Sequence, residues 1–253
     1  MSYLHGKFVW FEHSSGDIQK ARAFYEQLFG WHTEAMPMGT ERYHMILNNN
    51  QGIGGYATSQ PGGRSSWMCY LSVADVDASH AAAQSAGGRS LLPPMDFGPV
   101  GRGAQLADPT GAKFWLWKSA DCDRADAEKT PAGDWFWNEL WTPDDTRALN
   151  FYERVFGYTH DSMDMGPMGT YYILKKDGMP RAGLMKSVEP KAPAMWLPYA
   201  AVDDCDASAA KAKKLGAQVV SSPQDIPGVG RFAILVDPVG AAVAIMKEFP
   251  RAG

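Results

Sequence analysis

Two glutamates occupy matching places in a chain that is written twice. Glu12 follows Trp10 by two residues and Glu139 follows Trp137 by two, and the pairs lie 127 positions apart. In an extended strand a two-residue spacing puts both side chains on one face. A carboxylate among aromatic walls is desolvated, which raises its pKa and suits it to act as a general base. The competing reading is structural, a carboxylate bonded to backbone amides or to an arginine. Arg102 and Arg231 are equivalent, each in a Val-Gly-Arg sequence. Their planar guanidinium groups suit either a carboxylate on a substrate or pairing with Glu12 or Glu139.

The second signal is aromatic. Nine tryptophans are present. Trp10, Trp67 and Trp115, with Tyr70, answer to Trp137 and Trp196, with Tyr199. Large rings lining a cavity favour flat organic ligands through stacking and area burial, and packing in the core is the alternative for each ring. Met36, Met38, Met163, Met165 and Met168 lie beside loop glycines and suit a flexible apolar rim. The histidines do not repeat: His13 aligns with Leu140 and His44 with Tyr171. A metal site built twice would duplicate its ligands, so no metal is expected, with one asymmetric site using Glu12, His13 or His44 as the alternative. The same inequality makes the first repeat the more polar and favours Glu12 as the working carboxylate. Glycine-rich 98–103 and 228–230 lack the Lys-Ser/Thr of a phosphate loop.

These groups must be carried by repeated elements. Phe24-Tyr25 and Phe29-Gly30 return as Phe151-Tyr152 and Phe156-Gly157, and Asp108-Pro109-x-Gly111 returns as Asp237-Pro238-x-Gly240. The offset drifts from 127 to 129, which indicates two homologous domains differing by a small insertion. Each repeat reads as strand, helix and short strands, then the same order again. In the first helix Ile18, Ala21, Phe24, Tyr25 and Leu28 form one apolar stripe. Ser14 with Asp17 resembles a capping box, Thr142 and Pro143 open the equivalent helix, and Gly30 and Gly157 close them. The expected class is α+β, with four β-α-β-β-β modules in two domains, 1–118 and 134–253. The polar segment 119–133 reads as the linker.

Bulk properties narrow the partners. A net charge of −4 over 253 residues argues against a nucleic-acid or anionic-membrane footprint. No apolar run approaches the roughly 20 residues of a membrane span. Met1 to Gly16 lacks a basic region followed by an apolar stretch, and Cys69, Cys122 and Cys205 are sparse and odd in number. A cytoplasmic protein with reduced thiols is expected.

The four modules, Phe-Tyr in the first helix, Phe-Gly at its end and Asp-Pro-x-Gly before the last strand resemble the vicinal oxygen chelate superfamily of glyoxalases, bleomycin-resistance proteins and extradiol dioxygenases. The chain looks most like tandem glyoxalase-like proteins carrying Trp-x-Glu-Leu, here Trp137 to Leu140, and Asp-Ile-Pro-x-Val-Gly-Arg-Phe-Ala, here Asp225 to Ala233. The resemblance implies curved mixed sheets that close into cups. In metal-using members, ligands fall at places occupied here by Trp10, about Gly55, about Met68 and Trp115, and by Trp137, about Gly183, about Leu197 and Ala244. None of these side chains binds Zn, Ni, Mn or Fe. The expected function is therefore small-molecule binding, with metal-independent chemistry on a small carbonyl or aromatic metabolite through Glu12 or Glu139. A non-catalytic sequestering protein and a metal-dependent lyase or dioxygenase are the alternatives.

Overall fold

The computed structural model describes residues 3–38, 41–189 and 191–249. The first repeat runs β1 (Phe8–Ser15), α1 (Ile18–Phe29), β2 (His32–Met38), β3 (Glu41–Asn48) and β4 (Gln51–Thr58). It continues with β5 (Ser66–Ser72), α2 (Val76–Ser85), β6 (Arg89–Asp96), β7 (Gly101–Ala107) and β8 (Lys113–Ser119). The second repeats this as β9 (Trp135–Thr142), α3 (Asp145–Phe156), β10 (Thr159–Asp164), β11 (Thr170–Lys176) and β12 (Met179–Lys186). Its second module is β13 (Met195–Ala201), α4 (Cys205–Lys214), β14 (Gln218–Ile226), β15 (Gly230–Val236) and β16 (Ala242–Glu248). These are the four expected modules, and the class is α+β.

All four helices begin on an aspartate. The side chains of Asp17, Asp75, Asp144 and Asp204 accept hydrogen bonds from the backbone amides of Lys20, Ala78, Arg147 and Ala207, satisfying donors that a helix start leaves open. The caps expected at Ser14 and Thr142 are displaced accordingly. Thr142 still ends β9, and its hydroxyl accepts from the Asp144 amide at 3.3 Å. Gly30 (φ 76°) and Gly157 (φ 65°) stop α1 and α3 in the left-handed region, as their positions predict.

The strands form two eight-stranded mixed sheets, ordered β2-β3-β4-β1-β5-β8-β7-β6 and β10-β11-β12-β9-β13-β16-β15-β14. Within each module the first and last strands pair in parallel, β1 with β4 and β9 with β12, β5 with β8 and β13 with β16. The remaining neighbours within a module run antiparallel.

Compactness groups the modules across the repeats. One unit comprises Met1–Trp10, Met68–Asp126 and Trp137–Trp196, and the other Phe11–Trp67, Ala127–Phe136 and Leu197–Gly253. Each unit therefore takes one module from each repeat. In the first, α2 packs on α3; in the second, α1 packs on α4. The core of each lies between helices and sheet.

The two recurring motifs meet in these cores. In the first unit Asp108 uses one carboxyl oxygen to hold its own turn, accepting from the amides of Thr110, Gly111 and Ala112 at 2.7 to 3.1 Å. Its other oxygen accepts from the Tyr152 hydroxyl of the opposite repeat at 3.1 Å, and the Trp196 indole donates to that same hydroxyl at 3.0 Å. The second unit repeats the set. Asp237 holds the amides of Val239 and Ala241, accepts from the Tyr25 hydroxyl at 2.9 Å, and Trp67 donates to Tyr25 at 2.8 Å. Here a fourth member joins, His13, whose Nε2 lies 2.8 Å from Asp237, with both side chains fully buried. Burial drives both phenols well above the usual tyrosine range, reinforced by the adjacent carboxylates, so they remain donors.

Segment 119–133 is pinned rather than slack. Asp123, buried, accepts from the Leu4 amide at 2.7 Å and the Ser72 hydroxyl, and Asp126 pairs with Lys7 and Arg181. In the other unit the carbonyl of Gly133 accepts from Trp31 at 2.8 Å and that of Ala132 from Asn48 at 2.9 Å.

Tyr25→Phe and Tyr152→Phe should each lower stability by about 1 to 3 kcal/mol, because each leaves a buried carboxylate and an indole short of a partner. Urea denaturation checks this. Asp237 also sets a pH dependence. Burial alone would raise its carboxyl, but hydrogen bonds from His13, the Ala241 amide and Tyr25 outweigh it and hold the group low. Its contribution is therefore present above the ordinary carboxylate value of about 3.9 and is lost as pH falls through the lower folded value. Stability of the wild type should drop more steeply below about pH 4 than that of Asp237→Asn.

Candidate functional site

Each β-strand has one face toward the helices and one away from them. In β9, Asn138, Leu140 and Thr142 are buried toward the helical core, so Trp137, Glu139 and Trp141 share the other face. In β1 the core side takes Phe11, His13 and Ser15, which leaves Trp10, Glu12 and Ser14 half-buried on the opposite side. The expected pairing of tryptophan and glutamate on one face is present in both repeats. His13 lies behind it, committed to Asp237.

Around Glu139 the side chains form a connected set. The Tyr171 hydroxyl donates to one carboxyl oxygen at 2.8 Å, the Trp141 indole donates to the other, and the Trp137 indole donates to the Tyr171 hydroxyl at 2.9 Å. Glu139 is only 7% exposed. Burial lifts the Tyr171 phenol well above the usual range, the Glu139 charge and hydrogen bond add to this, and the Trp137 bond offsets it in part. Tyr171 is therefore held protonated and serves as a donor.

Strand register explains how Tyr171 reaches Glu139. Glu139 pairs with Gly183 on β12, which pairs with Ile173 on β11. Tyr171 lies two residues from Ile173 on the same face, and its ring leans across Gly183. A Cβ added at Gly183 would fall 2.0 Å from the Tyr171 hydroxyl and 2.9 Å from the Trp137 indole nitrogen. Glycine is required because the phenol occupies the place of a side chain. The first repeat has the same device: Glu12 pairs with Gly55, and a Cβ there would fall 2.0 Å from the Tyr43 hydroxyl. Sequence alignment by a constant offset set His44 against Tyr171. The register corrects this, because Met45 pairs with Gly55 as Ile173 pairs with Gly183, which makes Tyr43 the counterpart of Tyr171. The small drift between the repeats hid both tyrosines, and the glycine opposite each glutamate was the signal that could have found them.

The copies differ at one neighbouring row. In β9 to β11 the partners Trp141, Met185 and Tyr171 stand side by side. In the first repeat Ser14 and Ala57 replace the first two, and Tyr43 pairs with Met36 as Tyr171 pairs with Met163.

The other sequence candidates fall elsewhere. Trp67 and Trp196 point into the helical cores, 6% and 3% exposed, with their indole nitrogens bonded to Tyr25 and Tyr152. Their strand positions put them on the helix side, so they pack rather than line the other face. Arg102 binds Asp77 and Asp96 at 2.7 and 2.8 Å, and Arg231 binds Asp206 and Asp225 in the same manner. Both arginines thus tie a helix start to a hairpin, which takes the place of the expected pairing with Glu12 or Glu139. Tyr70 stacks on Trp115 with centroids 5.3 Å apart, joined by Phe97 and by Trp117, which lies over Gly101 and Gly103. Tyr199, opposite Ala244, meets the tilted ring of Phe232 in the second repeat's version of this patch.

A divalent metal does not fit this donor set. Among the described residues no three His, Cys, Asp or Glu side chains converge. The strand places opposite the two glutamates are glycines overlain by phenols, which leaves no room for a ligating side chain.

Gly183→Ala tests the phenol's position. The added methyl should displace Tyr171 from Glu139 and cost about 1 to 3 kcal/mol, the usual range for overpacking. Thermal unfolding and the loss of the Tyr171 hydroxyl resonance by NMR would register it.

Residues 7–116 match the glyoxalase/bleomycin resistance protein/dioxygenase superfamily and residues 137–246 match a glyoxalase-like domain. The chain is 38% identical to the Mycobacterium tuberculosis protein named "Putative glyoxylase CFP32", over 98% of this chain and 97% of that protein. It is 30% identical to the anthracycline biosynthesis protein DnrV of Streptomyces peucetius, over 97% and 94%. Among solved structures it resembles a Mn(II)-bound glyoxalase from Novosphingobium aromaticivorans, with TM-score 0.69, 16% identity and coverage of 97% and 83%. It also resembles the 2,3-dioxygenase LapB from Pseudomonas sp. KL28, with TM-score 0.67, 11% identity and coverage of 98% and 95%. With both repeats matched and full-length relatives above 30% identity, the chain belongs to the glyoxalase/bleomycin resistance protein/dioxygenase superfamily as a tandem-domain member.

Proposed function

We propose that the protein binds a small organic molecule on the strand faces that carry Glu12 and Glu139, and acts on a small carbonyl or aromatic metabolite without a metal cofactor. The observation that carries this reading is the buried Glu139 carboxylate, held by Tyr171 and Trp141 on the face away from the helical core. A fold alone would not justify it, because function resides in the site. The reading assigns proton transfer to the matching carboxylate of the first repeat, Glu12. The tryptophans supply the apolar surroundings that strengthen its interactions with a ligand.

Glu12 is the better candidate for the working base. Where Trp141 covers Glu139, the first repeat has Ser14, and where Met185 flanks it, Ala57. The row beside Glu12 therefore carries less bulk than the row beside Glu139. Glu139, with both oxygens already engaged by aromatic donors, favours the second reading at that copy: a site that holds a ligand without chemistry, as in a sequestering protein. We place the protein in the cytoplasm, with a small molecule as its partner and neither nucleic acid nor membrane. Among the described residues no helix is long and apolar enough to cross a membrane.

The test uses protein treated with a chelator and screened for turnover of small carbonyl and aromatic compounds. Activity should persist without added metal. Glu12→Gln should then lower the rate by about 100- to 10,000-fold, the usual effect of losing a positioned general base, with unfolding little changed. Glu139→Gln should act mainly on stability. Activity that returns only with added divalent ions, or Glu12→Gln with full turnover, rejects the metal-free base.

A further inference from the structure

Trp117 lies where β7 has been cleared of side chains. A Cβ added at Gly101 or Gly103 would fall 2.7 or 2.9 Å from a carbon of the indole's six-membered ring. The two glycines are there for different reasons. A Cβ at Gly101 would also fall 2.4 Å from the Lys118 carbonyl oxygen, and one at its counterpart Gly230 would fall 2.4 Å from that of Lys247. The backbone thus asks for glycine at this place in both repeats. At Gly103 the nearest atom belongs to Trp117, and the nearest backbone atom is 3.2 Å away. Gly103 pairs with Trp117 across β7 and β8 as Phe232 pairs with Met246 across β15 and β16. The fold therefore accepts a large ring at the place of Gly103. It is the indole that requires the glycine.

The surrounding residues change together with this pair. Phe97 and Trp115 have Ile226 and Ala244 as counterparts, while Tyr70 keeps its ring as Tyr199. Tyr70 meets Trp117 edge to face with centroids 5.7 Å apart, and Phe97 is tilted against it at 5.6 Å. Trp115 stacks on Tyr70 and meets Phe97 edge to face. Tyr70 and Trp115 are buried, whereas Trp117 and Phe97 keep part of their surface in solvent. Met95, exposed, pairs with Gly103 from the outer strand β6, so its thioether stands next in the same row. Gln105 pairs with Trp115 and brings an amide that can both donate and accept.

We propose that Trp117, Phe97 and Met95 form a stacking site for a flat aromatic ring system, built in the first repeat and replaced in the second. A planar ring gains from offset or edge contacts with such a surface, and the thioether adds a polarizable border. Gln105 supplies a polar contact beside it. The site uses neither glutamate, so its failure leaves the reading of the glutamate faces as it stands.

The probes 2-naphthol and trans-decahydro-2-naphthol share carbon skeleton and hydroxyl group and differ in flatness. Titrated at neutral pH by calorimetry, 2-naphthol should bind about three- to tenfold more tightly, the gain of an aromatic pair beyond its buried area. The Trp117 indole N–H resonance, assigned by its loss in Trp117→Met, should shift during the titration. The double variant Gly103→Phe/Trp117→Met copies Phe232 and Met246, a pair that the fold already carries. It should unfold close to the wild-type temperature, and its preference for the flat probe should fall below about twofold. Glu139→Gln should keep the preference. Binding of neither probe, equal binding of both, an unmoved Trp117 resonance or a preference that survives in the double variant overturns the proposal. A preference abolished by Glu139→Gln overturns it as well, because the ring would then lie on the glutamate face. If the double variant does not fold, Gly103→Ala, whose methyl displaces the indole, should lower the preference in its place, and an unchanged preference there overturns the site.

Discussion

The hydrogen bond from a helix tyrosine to the aspartate of a strand turn is the constraint on which the rest of the fold depends. Tyr152 reaches Asp108 and Tyr25 reaches Asp237, and in both cases the partners come from different repeats. A carboxylate stripped of water is costly unless its oxygens are satisfied. Each aspartate meets that demand by dividing its work, one oxygen for its own turn amides and one for the distant phenol. The indoles of Trp67 and Trp196 complete the phenols in turn. This explains why Phe-Tyr and Asp-Pro-x-Gly recur together in the sequence, since neither motif is satisfied within its own repeat.

The two units then carry different fillings on the strand faces away from the helices. The unit holding β9 to β12 and β5 to β8 has Trp141 and Met185 near one glutamate, and Tyr70, Trp115 and Trp117 on its other half-sheet. The unit holding β1 to β4 and β13 to β16 has Ser14, Ala57 and Ala244 at the corresponding places. Duplication preserved the glutamate, the tyrosine and the glycine, while the bulk around them diverged. The glycine kept in both copies marks what the overlying phenol needs, and the divergence lies in the bulk beside it.

Much of this was legible in the sequence. The repeat, the four modules and the helix stops follow from motifs with a direct mechanical meaning, such as Gly30 and Gly157 in the left-handed region. The sharing of a face by tryptophan and glutamate follows from strand alternation alone. Three things were not legible. Helix starts moved to Asp17 and Asp144, because the capping side chain competes locally with nearby Ser14 and Thr142. Trp67 and Trp196 resembled ligand-lining residues until strand direction put them against the helices. The tyrosines over Gly55 and Gly183 depend on register between strands, and register is a relation between distant segments that no local pattern encodes.

Because each compact unit draws one module from each repeat, the tyrosine–aspartate closures join sequence segments from opposite halves of the chain. A single-repeat ancestor could have made the same closures only by associating with a second copy of itself, its helix tyrosine finding the turn aspartate of its neighbour. The present chain thus carries inside one polypeptide what would otherwise be a subunit interface. Fusion removes the dependence on protein concentration, since the second half is always at hand. It also frees the halves from identity: once both are encoded separately in one chain, a histidine can appear beside Asp237 without appearing beside Asp108. The lone His13 is the trace of that freedom, an asymmetry that a symmetric pair of identical subunits could not have fixed on one side alone.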